Sequence, residues 1–374
     1  MPKLKLATII GTRPEIIRLS QIIKLADKVF DHVLIHTGQN YDYELNEIFF
    51  EELGIRKPDH FLGVAGQNLG KTMGNIISLS FEIFLKEKPD ALLVLGDTNS
   101  VLSTISAKRL KIPIFHMEAG NRCFDQNVPE EINRKISDHI SDVNLAYNEH
   151  SRRYLIAEGF RKDHIFVTGT PLFEVIEANK VKIQSSDILE RLKLQKDNYF
   201  VVSSHREENL DLGDNFENLI ESLNAVAERY QVPLIFSTHP RTKIQLERKN
   251  LKLHPLIKNY PPFGFIDYVH LQKNSKCVLS DSGTISEESA MLGFNAISLR
   301  TSTERPESVD SGTILLGGIK KNEVLNNIDL MLNTHFQSKQ IPVEYSILDV
   351  STKIVRCIQS YTPIINRVIW NKNE

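Results

Sequence analysis

The sequence contains little cysteine: Cys123, Cys277 and Cys357 are the three in 374 residues. They lie far apart, so they form none of the close spacings that bind zinc, and an odd number argues against a disulfide framework. Long apolar runs are also lacking. No run approaches the roughly 18 residues of a membrane-spanning helix, and the apolar run at 1–10, soon followed by Arg13, is too short for a secretory signal. We therefore expect a cytoplasmic protein that neither holds a metal nor enters a membrane.

An excess of charge of either sign is lacking too, because 45 Lys and Arg residues oppose 47 Asp and Glu residues, for a net charge of −2. Nucleic-acid-binding surfaces normally carry a basic excess, so no nucleic-acid partner is expected. Apolar residues make up 41% of the chain and charged residues 25%, which is typical of a globular protein and not of a disordered one. Any phosphate group would have to be bound by a few placed side chains and backbone amides.

Short apolar runs alternate with amphipathic stretches along the whole chain. The apolar runs predict strands at 4–10, 33–37, 91–95, 114–115, 143–146, 165–167, 199–203, 233–236, 277–279 and 296–299. The amphipathic stretches predict helices at 14–30, 69–86, 101–110, 130–140, 216–230, 266–273 and 285–292. Continuously apolar strands separated by helices are typical of a parallel sheet covered on both faces. The pattern occurs twice, which predicts an α/β protein made of two Rossmann-like, doubly wound domains.

The length of the chain also favours two domains, because a single core rarely grows beyond about 250–300 residues. The breakers at 168–171 place the boundary there, which gives an N-terminal Rossmann-like domain at 1–169 and a C-terminal Rossmann-like domain at 170–357. A last helix at about 358–374 is expected to pack back on the first domain. Ligands of doubly wound sheets bind at the carboxyl ends of the strands, so the two domains are expected to face a ligand-binding cleft.

Two strand-to-helix turns are candidates for binding phosphate. Gly11 ends the first strand before a helix whose amino terminus could bind an anion, with Arg13 and Arg18 nearby. Ser282 and Gly283 form a similar turn in the second half. Ordinary helix capping with surface arginines explains these residues equally well. No Gly-x-Gly-x-x-Gly pattern is present, which argues against tightly bound NAD, and no cofactor is expected.

Acidic side chains follow two apolar strands of the first half: Asp97 and Glu118. A strand gains no stability from a carboxylate at its carboxyl end, so both favour a functional interpretation. Glu118 and His116 are expected to share a strand face, by the period of two along a strand. Glu130 opens a helix, where an acid is also expected for structural reasons alone. His205 closes the first strand of the second half and would suit a diphosphate or, alternatively, be an exposed loop residue.

Eight segments in order resemble the motifs of the non-hydrolysing UDP-N-acetylglucosamine 2-epimerase family, and they lie at 11–15, 37–39, 96–98, 118–120, 129–134, 205–207, 281–283 and 303–307. Together they are highly specific, and the resemblance runs nearly end to end. It implies a GT-B-type fold and a 2-epimerase acting on a UDP-linked 2-acetamido sugar.

The resemblance also implies roles for individual residues. The catalytic positions match Asp97, Glu118, Glu130 and His205, and the uridine- or phosphate-side positions match Arg13 and Arg18. The diphosphate cradle matches Ser282 and Gly283, the ribose-binding carboxylate matches Glu288, and Tyr268 falls where the family has an aromatic beside the uracil. The implied mechanism eliminates UDP to give a 2-acetamidoglycal, which domain closure retains until UDP adds back. It needs no metal or redox cofactor.

The segment 121–128 differs from that of the glucosamine epimerases. It resembles the subgroup that converts UDP-N-acetyl-L-pneumosamine to UDP-N-acetyl-L-fucosamine in capsule or O-antigen pathways. Epimerisation of UDP-N-acetylglucosamine to UDP-N-acetylmannosamine is the alternative. A GT-B glycosyltransferase, a hydrolysing epimerase and a non-catalytic sensor of nucleotide sugars are more distant alternatives. For the assembly we expect a homodimer.

Overall fold

The computed structural model of the protein describes residues 3–39, 43–204, 206–210, 213–238, 240–300, 303–334 and 341–372. Two compact units divide the chain. Unit 1 is formed by the described residues of Met1–Ala178 and Ser346–Glu374, and unit 2 by those of Asn179–Tyr345.

The strands of the described residues are, in chain order, β1 Lys5–Ile10, β2 Asp31–His36, β3 His60–Phe61, β4 Ala91–Leu95, β5 Ile114–Met117, β6 Val143–Ala146, β7 Ile165–Val167, β8 Phe200–Ser204, β9 Leu234–Thr238, β10 Ile257–Tyr260, β11 Cys277–Ser280, β12 Ala296–Ser298 and β13 Leu315–Leu316.

The α-helices of the same residues are α1 Arg13–Val29, α2 Tyr43–Leu53, α3 Leu69–Glu87, α4 Ser103–Arg109, α5 Pro129–Ile140, α6 Glu149–Ala157, α7 Leu172–Ala178, α8 Lys180–Gln184, α9 Ile188–Arg191, α10 Glu207–Leu210, α11 Asn215–Tyr230, α12 Pro240–Arg248, α13 Phe265–Lys273, α14 Thr284–Leu292, α15 Pro306–Asp310, α16 Lys321–Asn333 and α17 Val350–Val368. Short 3-10 helices lie at Asn99–Leu102, Lys162–His164 and Val343–Tyr345.

Each unit is built on one parallel sheet. The sheet of unit 1 has the strand order β3-β2-β1-β4-β5-β6-β7, and the sheet of unit 2 has the order β10-β9-β8-β11-β12-β13. All of the pairings in both sheets are parallel. In each sheet the chain reverses its direction of travel beside the first strand, which creates a switch point between β1 and β4 and another between β8 and β11. The predicted pair of doubly wound, Rossmann-like sheets is confirmed.

The central strands are apolar along their whole length because helices cover both faces of each sheet. Every residue of β4 is buried. The core of unit 1 joins Ile9 of β1 and Val94 of β4 to Phe84 of α3. The core of unit 2 joins Phe200 and Phe236 to helix residues such as Phe216.

Unit 1 continues past the boundary predicted at 169/170, because α7 packs against α1. The carboxylate of Glu174, on α7, accepts hydrogen bonds from the backbone N–H and from the hydroxyl of Ser351, at the start of α17. Helix α17 also packs on α1, and it begins at Val350, eight residues before the predicted 358. The breakers at 168–171 therefore mark the end of β7 and not the end of the unit. No helix within the described ranges is both long enough and apolar enough to span a membrane.

Candidate active site

The turn after β1 is packed so closely that only glycine fits at its first position. A Cβ atom on Gly11 would lie 2.1 Å from Oγ1 of Thr37 and 2.4 Å from Oγ of Ser100. Thr12 then adopts an extended backbone as the N-cap of α1, and Pro14 occupies the first turn. The chain can therefore enter α1 directly at the carboxyl edge of the sheet. Arg13, the first residue of α1, is half-buried.

The buried carboxylate of Glu15 joins two strand-end turns. It accepts hydrogen bonds from the N–H of Gly11 (3.0 Å) and the hydroxyl of Thr12 (2.7 Å) in the turn after β1. It also accepts one from the hydroxyl of Thr98 (3.2 Å) in the turn after β4. Burial raises the pKa of Glu15 to about 7, and these hydrogen bonds oppose the rise only in part. Glu15 thus positions the turn that carries Asp97.

Asp97 follows Gly96, which has a positive φ of 75°, and its side chain is 23% exposed. Its carboxylate accepts a hydrogen bond of 2.5 Å from Nη2 of Arg134, and its carbonyl accepts one of 3.0 Å from Nδ2 of Asn133. The buried Arg134 also donates to Glu131 at 3.1 Å. Helix α5 therefore supplies the groups that hold the first candidate carboxylate.

Glu118 lies just beyond β5 in the left-handed region, with a φ of 64°. Its side chain, 12% exposed, accepts a hydrogen bond of 2.6 Å from Nη1 of Arg18 and one of 3.1 Å from Nδ2 of Asn121. The guanidinium of Arg18 is also stacked 5.5 Å from the ring centroid of Tyr147. Arg18, which the resemblance assigns to the uridine or phosphate side, is directed here at Glu118.

The period of two that would put His116 and Glu118 on one face does not extend to Glu118, because β5 ends at Met117. His116 is completely buried, and both of its ring nitrogens are hydrogen-bonded within unit 1. Glu130 lies in the first turn of α5 and is half-buried.

In unit 2 a single buried carboxylate joins the strand ends at the switch point. Asp281, after β11, accepts hydrogen bonds from the hydroxyl of Ser204 (2.7 Å), the N–H of Arg206 (3.0 Å) and Nδ2 of Asn209 (3.1 Å). All three donors lie at the end of β8 or just after it. His205, predicted to be catalytic, lies outside the described residues.

The predicted phosphate cradle opens α14. Gly283 is the N-cap of this helix, and the hydroxyl of Ser282 lies 3.0 Å from that of Thr284. A Cβ atom on Gly283 would lie 2.4 Å from a carboxylate oxygen of Glu304. That carboxylate in turn is held by Arg300 at 2.6 Å. An acidic group therefore lies against the amino terminus of α14, where the helix dipole favours negative charge.

The other two predicted nucleotide contacts lie on neighbouring helices. Glu288 of α14 is buried and accepts a hydrogen bond of 2.6 Å from Nε2 of Gln272 on α13. Tyr268, also on α13, is partly buried and packs against the core of unit 2. Within the described ranges, no group of three or more His, Cys, Asp or Glu residues is arranged to hold a metal ion.

The sequence profile of the UDP-N-acetylglucosamine 2-epimerase family matches residues 24–359. The chain belongs to this family. It is an isomerase, a 2-epimerase of UDP-linked sugars. The family predicted from the eight motifs is thereby confirmed.

Three relatives cover nearly all of this chain. The structure of the UDP-N-acetylglucosamine 2-epimerase from Rickettsia bellii is 49% identical, with a TM-score of 0.92, and covers 99% of this chain and 100% of its own. The Methanocaldococcus jannaschii enzyme in complex with UDP-GlcNAc and UDP is 36% identical, with a TM-score of 0.89 and coverages of 95% and 99%. A UDP-2,3-diacetamido-2,3-dideoxy-D-glucuronate 2-epimerase from Pseudomonas aeruginosa is 32% identical over 89% of this chain and 94% of its own. These likenesses confirm the GT-B-type fold class.

Several residues that shape the site receive no individual role from the sequence patterns. Arg134 lies within the motif at 129–134 and Asn121 within the distinctive segment 121–128, but no local pattern predicts their hydrogen bonds to Asp97 and Glu118. Glu15 does have a local signal, because a threonine followed three residues later by glutamate is a capping-box pattern, which directs that carboxylate back toward the turn. Glu304 lies within the motif at 303–307, but its position against Gly283 is seen only in the structure.

The raised pKa of Glu15 makes the stability of the fold depend on pH. The unfolded chain releases this proton near pH 4.5, whereas the folded chain retains it until about pH 7, so the free energy of unfolding should fall as the pH rises between these values. The rise from 4.5 to about 7 corresponds to about 3 kcal/mol. We expect Glu15→Gln to match the wild type in thermal stability near pH 5 and to exceed it above pH 7. The exposed Glu51→Gln is the control, and a constant difference between Glu15→Gln and wild type at all pH values would contradict the assignment.

The close packing around Gly11 should make any larger residue there destabilising. An alanine there would force apart Thr37 and Ser100, at a cost of about 1–3 kcal/mol. The matched control is Gly74→Ala in α3, where a Cβ meets no atom within 4 Å and the better helix former should stabilise slightly. The midpoint of thermal denaturation should therefore fall in Gly11→Ala and rise slightly in Gly74→Ala. Equal midpoints would show that the turn is less tightly packed than described.

Proposed function

We propose that this chain inverts carbon 2 of a UDP-linked 2-acetamido sugar by eliminating UDP and adding it back. The observation that carries the proposal is the pair of carboxylates, Asp97 and Glu118, at the ends of the adjacent strands β4 and β5. Each is oriented by a buried arginine, Arg134 and Arg18 respectively. Two acidic groups held at one sheet edge suit a reaction that moves protons on and off a single carbon.

The chemistry explains why elimination is needed. Carbon 2 has no neighbouring carbonyl group, so simple loss of its proton is unfavourable. In the elimination a carboxylate takes the C2 proton, the C–H electrons form the C1=C2 double bond, and UDP leaves with the electrons of the C1–O bond. The C2 atom of the resulting glycal is planar. Protonation on the opposite face, with return of the UDP oxygen to C1, then completes the inversion.

Acid and base groups are required about the ring, and we assign these roles to Asp97, Glu118 and Glu130. One carboxyl group must begin ionised to accept the proton and another protonated to deliver one. Exchange with solvent restores the starting state after each turnover. His205 remains a predicted catalytic residue that would assist the leaving diphosphate, together with the charge of Arg13.

We assign the UDP moiety to unit 2. The amides of Ser282 and Gly283 at the start of α14 are suited to a diphosphate, because a helix amino terminus offers free N–H groups. The glycine at 283 supports this assignment, because a residue without a Cβ atom lets a ligand approach the backbone amides closely. Glu288 would bind the ribose hydroxyls, and Tyr268 would lie beside the uracil.

For the sugar we propose UDP-N-acetyl-L-pneumosamine, which would be converted to UDP-N-acetyl-L-fucosamine. The distinctive segment 121–128 supports this choice, because its Asn121 donates a hydrogen bond to Glu118 and so lies beside a candidate catalytic group. The names of the Rickettsia and Methanocaldococcus relatives favour UDP-N-acetylglucosamine, which is the second candidate. The homodimer, the cytoplasmic location and the part in capsule or O-antigen synthesis stay predictions.

The substrate is tested by following both UDP-sugars in parallel by NMR at equal concentration. We expect faster epimerisation of UDP-N-acetyl-L-pneumosamine. The exchange of methyl for hydroxymethyl at carbon 6 contributes about 10²-fold at most, and the different ring series adds to it. Equal or faster turnover of UDP-N-acetylglucosamine would reject the proposed sugar and leave the 2-epimerase activity in place. Accumulation of free UDP and free sugar would instead indicate a hydrolysing enzyme.

The nucleotide assignment is tested by calorimetry with UDP. Replacement of Glu288 by alanine removes a charged acceptor, a change that typically costs 1.5–3 kcal/mol, so the Kd for UDP should rise by about 10- to 100-fold. The matched control is Glu228→Ala, which removes an exposed glutamate from α11 and should leave the Kd unchanged. An unchanged Kd in a folded Glu288→Ala variant would remove this residue from the ribose site.

A further inference from the structure

A buried charged cluster lies beneath the two turns that carry Asp97 and Glu118. At its centre is His116, whose Nδ1 atom lies 2.9 Å from Oδ1 of Asp138 and whose Nε2 atom lies 2.7 Å from the carbonyl oxygen of Gly96. His116 and Asp138 have no exposed side-chain surface. The cluster is therefore inaccessible to substrate, and it must act through the residues around it.

The donors and acceptors determine the charge of the cluster. The carboxylate of Asp138 also accepts hydrogen bonds from Nη1 of Arg122 (2.7 Å) and from the N–H of Gly120 (3.1 Å). Burial acts to raise the pKa of Asp138, but the hydrogen bonds and charges of His116 and Arg122 outweigh it and lower that pKa. An ionised carboxylate and a carbonyl can only accept, so both ring nitrogens of His116 donate. His116 is then a buried imidazolium.

The hydrogen bonds of the cluster reach both turns. The carbonyl that His116 contacts belongs to Gly96, the residue before Asp97. On the other side, Asp138 holds the N–H of Gly120, and Nη1 of Arg122 donates to the carbonyl of Asn121 at 2.7 Å. Both of these backbone groups follow Glu118.

Arg122 is anchored from a third element. Its Nε and Nη2 atoms donate to the carboxylate of Glu158, just after α6, at 2.8 Å and 2.6 Å. A guanidinium with this bidentate partner, and with Asp138 as well, has little freedom to move. Besides His116, the ionic groups of this network are thus Asp138 of α5, Arg122 of the loop that follows β5, and Glu158 just after α6.

We propose that His116, Asp138 and Arg122 are positioning residues that fix the relative placement of the Asp97 and Glu118 carboxylates about carbon 2 of the substrate. The proposal rests on the function proposed above. Its consequence is specific to inversion. Once the glycal is planar, the face that receives the proton depends on where the two carboxylates lie relative to each other. A displacement of about 1 Å in a reacting group can change a rate by about 10²-fold.

A variant that weakens the hydrogen bonds of this cluster should therefore allow carbon 2 to be reprotonated on the face from which its proton left. In D₂O that error is visible, because it yields the starting UDP-sugar carrying deuterium at carbon 2 without inversion. The quantity to measure is the ratio of the initial rate of this exchange to the initial rate of inversion. A purely structural role would lower the amount of active enzyme and scale both rates together, so it would leave the ratio unchanged.

The variants are His116→Gln, which can donate to the Gly96 carbonyl but not also to Asp138, and Asp138→Asn. Asp142→Asn is the matched control, because Asp142 is a buried carboxylate that holds Lys108 and the N–H of Ile114 at the opposite end of β5. We expect the first two variants to raise the ratio of exchange to inversion by about 10-fold or more, and Asp142→Asn to leave it at the wild-type value. Arg122→Lys, which keeps the charge, should raise it less than Arg122→Gln.

Unchanged ratios in all of these variants would overturn the positioning role while the epimerase function stood. A wild-type enzyme that inverts neither UDP-sugar would overturn the proposed function and the positioning role with it. A second measurement does not depend on activity. In ¹⁵N-histidine spectra of the wild-type protein, one of the 12 histidines should show protons on both ring nitrogens and should vanish in His116→Gln. A neutral ring at that position would overturn the charged cluster.

Discussion

The burial of charge at the carboxyl ends of the strands is the constraint on which the candidate site depends. Arg18, Asp138 and Asp281 are all almost completely buried. An unpaired charge in such a position costs several kcal/mol, so each must find its partners within the protein. Those partners come from neighbouring turns and helix starts, which fixes the geometry of the strand ends before any ligand binds. Electrostatic preorganisation of this kind accounts for a large part of many enzymes' catalysis.

In both units a buried carboxylate connects the strand ends at the switch point. In unit 1 the carboxylate of Glu15 accepts hydrogen bonds from the turns after β1 and β4. In unit 2 the carboxylate of Asp281 accepts them from the end of β8 and the turn that follows it. In each unit the carboxylate accepts one backbone N–H, that of Gly11 or of Arg206, and its other donors are side-chain groups of the strand ends and turns. One buried acceptor thereby connects the turns that follow the two central strands.

The sequence predicts the central strands well, because a fully buried strand such as β4 must be apolar at every position. It does not reveal the edge strands β3 and β13, because each has only two residues, and two residues cannot show an alternating apolar pattern. Asp97 and Glu118 are predictable because a carboxylate after an apolar strand is unusual. The pairing of Arg18 with Glu118 is not predictable, because the two residues lie 100 positions apart and the sequence resemblance assigns Arg18 to the uridine or phosphate side. The extent of unit 1 depends likewise on contacts of α7 and α17 that no local pattern encodes.

The segment 121–128, to which we attribute the choice of sugar, also contacts the proposed acid–base groups. Its first residue, Asn121, donates to the Glu118 carboxylate, and its second, Arg122, completes the buried cluster with Asp138. On this proposal, a substitution that reshaped the sugar pocket here would also shift the carboxylate of Glu118. Relatives named for a glucosamine and for a diacetamido-glucuronate sugar share this fold across most of the chain. A change of sugar within the family would therefore require compensating changes around Glu118, and the segment would be expected to vary as a block and not residue by residue.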